Sequence, residues 1–161
     1  MRPAAIRFRK QGLATTYQIF ATAERIEEIS AETYRLLAEQ LADEPGARAL
    51  FRRLAEEELQ HAQRVRLLAS RYRHDSRLLG AVSAAALDEV LAEAEATLAA
   101  VQRGGFARTL AEARQKLAEV EARSSRAHAE LIASEGHPAL REFFRRLAAQ
   151  DRAHQEFLSG R

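Results

Sequence analysis

The stretch Phe51-Arg-Arg-Leu-Ala-Glu-Glu-Glu58-Leu-Gln-His61 recurs, with changes, as Phe144-Arg-Arg-Leu-Ala-Ala-Gln-Asp151-Arg-Ala-His154. Each copy ends in a carboxylate that is followed three residues later by a histidine. On a helix, side chains with this spacing lie on one face, with roughly 5–6 Å between their Cβ atoms. One helix can thus offer an oxygen and a nitrogen ligand to one metal ion, and two such helices predict a site for two ions.

A second pair of acidic residues repeats upstream of the two motifs. Glu27 is followed seven residues later by Tyr34, and Glu121 is followed seven residues later by His128. Seven residues are close to two helical turns, so each pair lies on one stripe of a helix. The chain therefore reads as two copies of a helical hairpin, each of which contributes two carboxylates and one histidine.

Apolar residues recur every three or four positions along four long stretches, which predicts four amphipathic helices. Each stripe is apolar at both ends and carries one carboxylate near its middle. Turn sequences separate the helices of each pair, at Glu44-Pro45-Gly46 and at Glu135-Gly136-His137-Pro138.

The two hairpins are joined by a connection that is too long for a tight turn. It contains a further apolar stripe, which predicts a helix within the crossover; the stripe comprises Leu87, Val90, Leu91, Ala94, Leu98 and Val101. The predicted fold is all-α, a ferritin-like antiparallel four-helix bundle made of two repeated hairpins and a long crossover with an extra helix. We expect a single domain over 1–161, with hairpin 1 at about 17–73, the crossover at about 74–105 and hairpin 2 at about 106–158.

Composition excludes several classes of protein. The 161 residues contain no Cys, so the chain has no disulfides, thiolate metal sites or cysteine catalysis. The net charge is only +2 and Arg alternates with Glu along the helices, which does not indicate nucleic-acid binding. No apolar run is long enough to span a membrane, and the basic segment 1–11 lacks the apolar core of a secretory signal. We therefore expect a cytoplasmic protein.

The acidic residues lie at core positions of their stripes, where an ionised carboxylate without a partner is costly. Two divalent cations would balance the four carboxylates of Glu27, Glu58, Glu121 and Asp151. Oxygen and nitrogen ligands together favour iron or manganese over calcium, and zinc is also compatible. A single Glu-x-x-His pair is usually a solvated helix face, but the duplication favours metal binding.

Two residues beside these carboxylates, Tyr34 and His128, have more than one interpretation. Tyr34 is either a core aromatic or a hydroxyl donor to a ligand carboxylate on a neighbouring helix. His128 is a donor to a ligand, an additional ligand or an ordinary buried histidine. Ser30 and Ser124 each follow a glutamate by three residues, and small polar residues in such places most often provide space.

Over about residues 17 to 158 the sequence resembles the rubrerythrin group of the ferritin-like superfamily. The resemblance implies a di-iron centre in which Glu27 and Glu121 are outer ligands, Glu58 and Asp151 bridge, and His61 and His154 each bind one iron. It further implies Tyr34 as a participating residue, hydrogen peroxide or dioxygen as the oxidant, and a homodimer. Because the chain has no Cys, it contains no rubredoxin centre, and any peroxidase cycle would need a separate electron donor protein.

The sequence departs from the family pattern at two positions of the site. Asp151 is one methylene shorter than the usual glutamate, and Ser124 stands where an additional carboxylate is typical. Three hypotheses follow. The first is a di-iron peroxidase, the second is a protein that oxidises and stores ferrous iron, and the third is a helical interaction module with a degraded metal site.

Overall fold

The structure, a computed structural model, describes residues 14–74, 78–79, 81–134 and 138–160. Five helices account for most of these residues, and two short strands precede the first and third helices. In chain order the elements are β1 (Ala14–Thr15), α1 (Thr16–Gln40), α2 (Ala47–Arg71), β2 (Leu78–Leu79), α3 (Ala81–Gln102), α4 (Leu110–Ser134) and α5 (Pro138–Ser159).

Local sequence explains where these helices begin. The Thr15 hydroxyl accepts a hydrogen bond from the Gln18 amide while the Gln18 side chain accepts one from the Thr15 amide, which is a capping box at the start of α1. Gly46 precedes α2 with a φ of +79°, a conformation that glycine adopts without steric cost. Pro138 is the first residue of α5, where its missing amide proton is not needed.

The helices pack as two hairpins, α1 with α2 and α4 with α5, and α3 lies against α1 and α4. Buried apolar side chains form two clusters along the bundle. One cluster contains Phe20, Ile26, Val65, Leu87 and Phe144 among others, and the other contains Leu37, Phe51, Leu54, Leu117 and Leu158 among others. Along α2, Glu58 falls between residues of the second cluster and residues of the first, whereas Glu27 on α1 lies among residues of the first cluster.

The all-α ferritin-like bundle and its crossover helix are confirmed. The sequence did not predict β1 and β2, which pair antiparallel with Ala14 opposite Leu79 and Thr15 opposite Leu78. Residues 135–137 of the second predicted turn lie outside the described residues, and the single domain stays a prediction. No helix in the described ranges has the length and apolarity needed to cross a bilayer.

Candidate metal centre

Four helices each bring one of the predicted acidic ligands into the interior. Glu27 on α1, Glu58 on α2 and Glu121 on α4 are 4–8% exposed, and the Asp151 side chain on α5 is 13% exposed. Each carboxylate occupies a core-facing position because the apolar residues one or two turns away on the same stripe are buried. The site is therefore held by the packing of the bundle.

Glu58 lies between the two predicted histidine ligands. Its Oε2 is 3.2 Å from Nδ1 of His61, three residues further along α2. Its Oε1 is 3.0 Å from Nδ1 of His154, which comes from α5. The two imidazole rings are stacked, with 5.7 Å between their centroids. One ligand atom from each of Glu58, His61 and His154 lies within 4.8 Å of the others, close enough to hold a metal ion.

The two outer glutamates extend this cluster on either side. Glu27 Oε2 is 3.6 Å from His61 Nδ1, and Glu121 Oε1 is 3.7 Å from His154 Nδ1. The Tyr34 hydroxyl on α1 donates a hydrogen bond of 2.5 Å to Glu121 Oε1 on α4. Glu27, His61, Glu58, His154 and Glu121 thus form one continuous chain of contacts.

Asp151, the sixth predicted ligand, is arranged differently. Its Oδ2 lies 2.6 Å from Nδ1 of His128 on α4, and the His128 ring stacks on Phe144 with 6.2 Å between the ring centroids. Asp151 lines the same interior cavity as Glu27, Glu58 and Glu121. The structure therefore places Asp151 at the site and gives it His128 as a hydrogen-bond partner.

A cavity of about 40 Å³ adjoins the carboxylates. Ser30, Tyr34 and Ser124 line it beside the acidic residues, and Val90, Ala94 and Thr97 of the crossover helix α3 form another part of its wall. The small side chains at positions 30 and 124 leave this space open. By this measure a cavity needs roughly 10–15 Å³ to hold one water molecule, so this one fits only small molecules.

Glu57 also reaches the site, although the sequence pattern predicts no role for it. Its Oε2 is 3.2 Å from Nε2 of His154, and Arg53 donates a hydrogen bond of 2.8 Å to the other carboxylate oxygen. Glu57 directly precedes Glu58, so on a helix it points about 100° away from the metal-facing direction. His154 comes within reach of Glu57 only because of how α5 packs against α2. The spacing of residues along a single helix cannot predict such a contact.

The pKa values of the outer acidic groups and of the central Glu58 are shifted in opposite directions. Burial, together with repulsion from Glu58, raises the pKa of Glu27 to about 8. Burial likewise raises the pKa of Glu121 and of Asp151, although nearby histidines partly oppose it. Burial also disfavours the charged form of Glu58, but hydrogen bonds with His154 and His61 outweigh it and the pKa of Glu58 is lowered.

The histidines carry the compensating charge. Burial alone would lower the pKa of both, but contacts with Glu27 and Glu58 raise the pKa of His61 to about 9. Contacts with Glu121 and Glu58 similarly raise the pKa of His154 to about 11. At neutral pH, protons on both imidazoles and on Glu27 thus balance buried carboxylate charge. A divalent cation bound by the same oxygen and nitrogen atoms would take over that balance, so the residues fit a metal centre.

Comparison with known proteins agrees with this geometry. Neither a curated protein nor a solved structure matches the chain at a significant level. The family profile described as Rubrerythrin matches residues 18–160, which include every predicted ligand and all five helices apart from the first two residues of α1. The chain therefore belongs to the rubrerythrin family and is a ferritin-like domain of the di-iron type.

Proposed function

We propose that this protein binds two iron ions between its four main helices and reduces hydrogen peroxide there, with electrons from a separate donor protein. The observation that carries the proposal is the position of Glu58, whose two carboxylate oxygens face two histidines from different helices. Family membership supports the same conclusion independently.

The ligands divide into two sets that share Glu58. One set is Glu27 and His61 from α1 and α2, and the other is Glu121 and His154 from α4 and α5. Because its oxygens face opposite histidines, Glu58 is the residue suited to bridge two ions. The close contacts also favour an intact centre over a degraded one.

Two ferrous ions would supply the two electrons that, with two protons, convert hydrogen peroxide into two molecules of water. The protein would contribute access and orientation. The cavity beside the carboxylates is lined by residues of all five helices and admits only small molecules. Size thus favours hydrogen peroxide or dioxygen over organic hydroperoxides.

Tyr34 and His128 would orient two of the carboxylates. Burial, together with repulsion from Glu121, raises the pKa of Tyr34 well above 10, so the hydroxyl keeps its proton and donates a hydrogen bond to Glu121. His128 holds Asp151 Oδ2 at 2.6 Å. This contact fixes the orientation of the Asp151 carboxylate. The Asp151 side chain is shorter than that of a glutamate, so it has less freedom to turn toward a metal ion.

Rapid mixing of the anaerobic, ferrous-loaded protein with hydrogen peroxide or with dioxygen tests the proposal. We expect oxidation by peroxide to be at least tenfold faster than oxidation by dioxygen at equal concentration. Equal rates, or faster reaction with dioxygen, would contradict the proposed activity. Glu58→Gln is the matched control, because it removes the shared ligand with little change in side-chain volume.

The iron-storage hypothesis predicts a different outcome with excess ferrous iron in air. A storage protein would form a cage and take up far more than two irons per chain, whereas the proposed enzyme would saturate at two. Iron content after desalting, together with the sedimentation coefficient, separates the two hypotheses. The expected homodimer is tested by the same sedimentation measurement.

A further inference from the structure

The two histidines of the site are supported unequally. His154 directs Nδ1 at Glu58 and Glu121, and its other ring nitrogen, Nε2, lies 3.2 Å from Glu57. For His61, in the described part of the chain, the same ring nitrogen, Nδ1, makes both carboxylate contacts, one with Glu27 and one with Glu58.

Glu57 is itself held in place by Arg53 on the same helix, and Arg53 also contacts α5. Arg53, one turn before it on α2, forms an ion pair of 2.8 Å with Glu57. The guanidinium of Arg53 lies 4.6 Å from the ring centroid of Phe157 on α5, which is three residues beyond His154. Glu57 therefore has a fixed carboxylate oxygen aimed at His154.

The internal repeat shows that this support is confined to one half. Position 57 directly precedes Glu58, and the corresponding residue before Asp151 is Gln150. In the repeat, Gln150 therefore occupies the position relative to His61 that Glu57 occupies relative to His154. One half of the duplicated site carries an anionic partner at this position and the other half carries a neutral amide.

A carboxylate on the second nitrogen of a ligating imidazole fixes its tautomer and orientation and makes it a stronger donor. Loss of such a partner typically lowers metal affinity by about 10–100-fold. We infer that Glu57 is a positioning residue that makes the His154 half of the centre the tighter site, so that the two ions bind in sequence. This inference rests on the metal-binding part of the proposed function and not on the reaction with peroxide.

Titration of the metal-free protein with Co²⁺, followed by visible absorption, tests the inference. We expect two binding steps in the natural protein, with the tighter site weakened about 10–100-fold in Glu57→Gln. Gln150→Glu should instead strengthen the weaker site and reduce the difference between the two steps. Glu56→Gln is the matched control, because Glu56 is an exposed neighbour and the substitution removes the same charge.

Proton NMR of the Co²⁺-loaded protein provides a signature that a purely structural role would not produce. The Nε2–H proton of His154 should give a paramagnetically shifted, exchangeable signal that is retained in Glu56→Gln. The same signal should broaden or disappear in Glu57→Gln because its acceptor is weakened. Circular dichroism checks that each variant is folded.

Equal effects of Glu57→Gln and Glu56→Gln on both Co²⁺ steps would overturn the inference, as would two indistinguishable steps in the natural protein. Failure of the proposed function gives a different pattern. In that case the Co²⁺ steps respond to Glu57→Gln as expected, but the ferrous protein does not favour peroxide.

Discussion

Tyr34 forms the shortest contact between the two hairpins at the site, donating to Glu121 over 2.5 Å inside the bundle. Tyr34→Phe removes this hydroxyl and leaves a buried carboxyl group without one of its donors. We expect a loss of about 1–3 kcal/mol in the free energy of unfolding, measured by urea denaturation of the metal-free protein.

Tyr17→Phe is the control for this substitution. Tyr17 lies on the same helix but about 25 Å away along its axis, well separated from the carboxylates. If both variants lose the same stability, the hydrogen bond to Glu121 contributes nothing measurable.

Single residues of the site differ in how far the sequence determines their place. The contacts of Glu58 and His61 follow from a spacing of three on one helix, so they could be predicted. The contact of Glu57 with His154 could not, since it depends on how α2 and α5 are rotated against each other. The sequence leaves the role of His128 open for the same reason, because its contact with Asp151 depends on how α4 and α5 pack.

At the scale of elements, the capping box of Thr15 and Gln18 fixes the start of α1, the helix that carries Glu27 and Tyr34. We expect Thr15→Ala to lower the free energy of unfolding by about 1 kcal/mol, because the Gln18 amide loses its acceptor. Thermal or urea unfolding of the metal-free protein measures this change.

Thr15→Ser retains a hydroxyl acceptor and should remain within about 0.5 kcal/mol of the natural protein. A Thr15→Ser variant as unstable as Thr15→Ala would show that packing of the methyl group matters instead of the cap.

Helices with long apolar stripes could be predicted as elements, and α3 is an example. Its buried residues Leu87, Val90 and Val101 have helical spacing, and the sequence placed a helix there. The strands β1 and β2 have two residues each and pair across more than sixty positions, so neither has a periodic pattern that could reveal it. Their pairing ties the chain before α1 to the crossover.

At the scale of the whole molecule, buried protons and metal ions compete for the same groups. The pKa values of His61, about 9, and His154, about 11, exceed the ordinary value of 6.5. Stabilisation from these two groups is therefore complete below pH 6.5 and is lost as the pH rises through 9 and 11. Glu27, with its pKa of about 8, acts in the same direction, since the folded state binds its proton more tightly between pH 4.5 and 8.

We therefore expect the metal-free protein to lose stability steadily between pH 6.5 and 9. Metal binding should show the opposite trend, because the ions displace these protons and bind more tightly as the pH rises. Urea unfolding at three pH values in that range, with chelator and with saturating Co²⁺, measures both trends. A metal-free protein that is equally stable at pH 6.5 and 9 would show that the imidazoles are not held as cations.

The overall arrangement could be predicted from the repeat because each half must bury its apolar stripe and its carboxylate against the other half. The family match over residues 18–160 agrees with that reading. The rotation of the hairpins about their axes could not be predicted, and this rotation decides that Asp151 faces His128 while Glu58 faces both ligand histidines.

The most direct test of a shared metal centre is the number of ferrous ions bound per chain under anaerobic equilibrium dialysis, in the natural protein and in Glu58→Gln. If one carboxylate joins two histidine-containing halves, the natural protein should hold two ions tightly. The variant should lose at least one of them while its helical circular dichroism stays unchanged. Binding of no iron by the natural protein, or equal binding by both proteins, would contradict it.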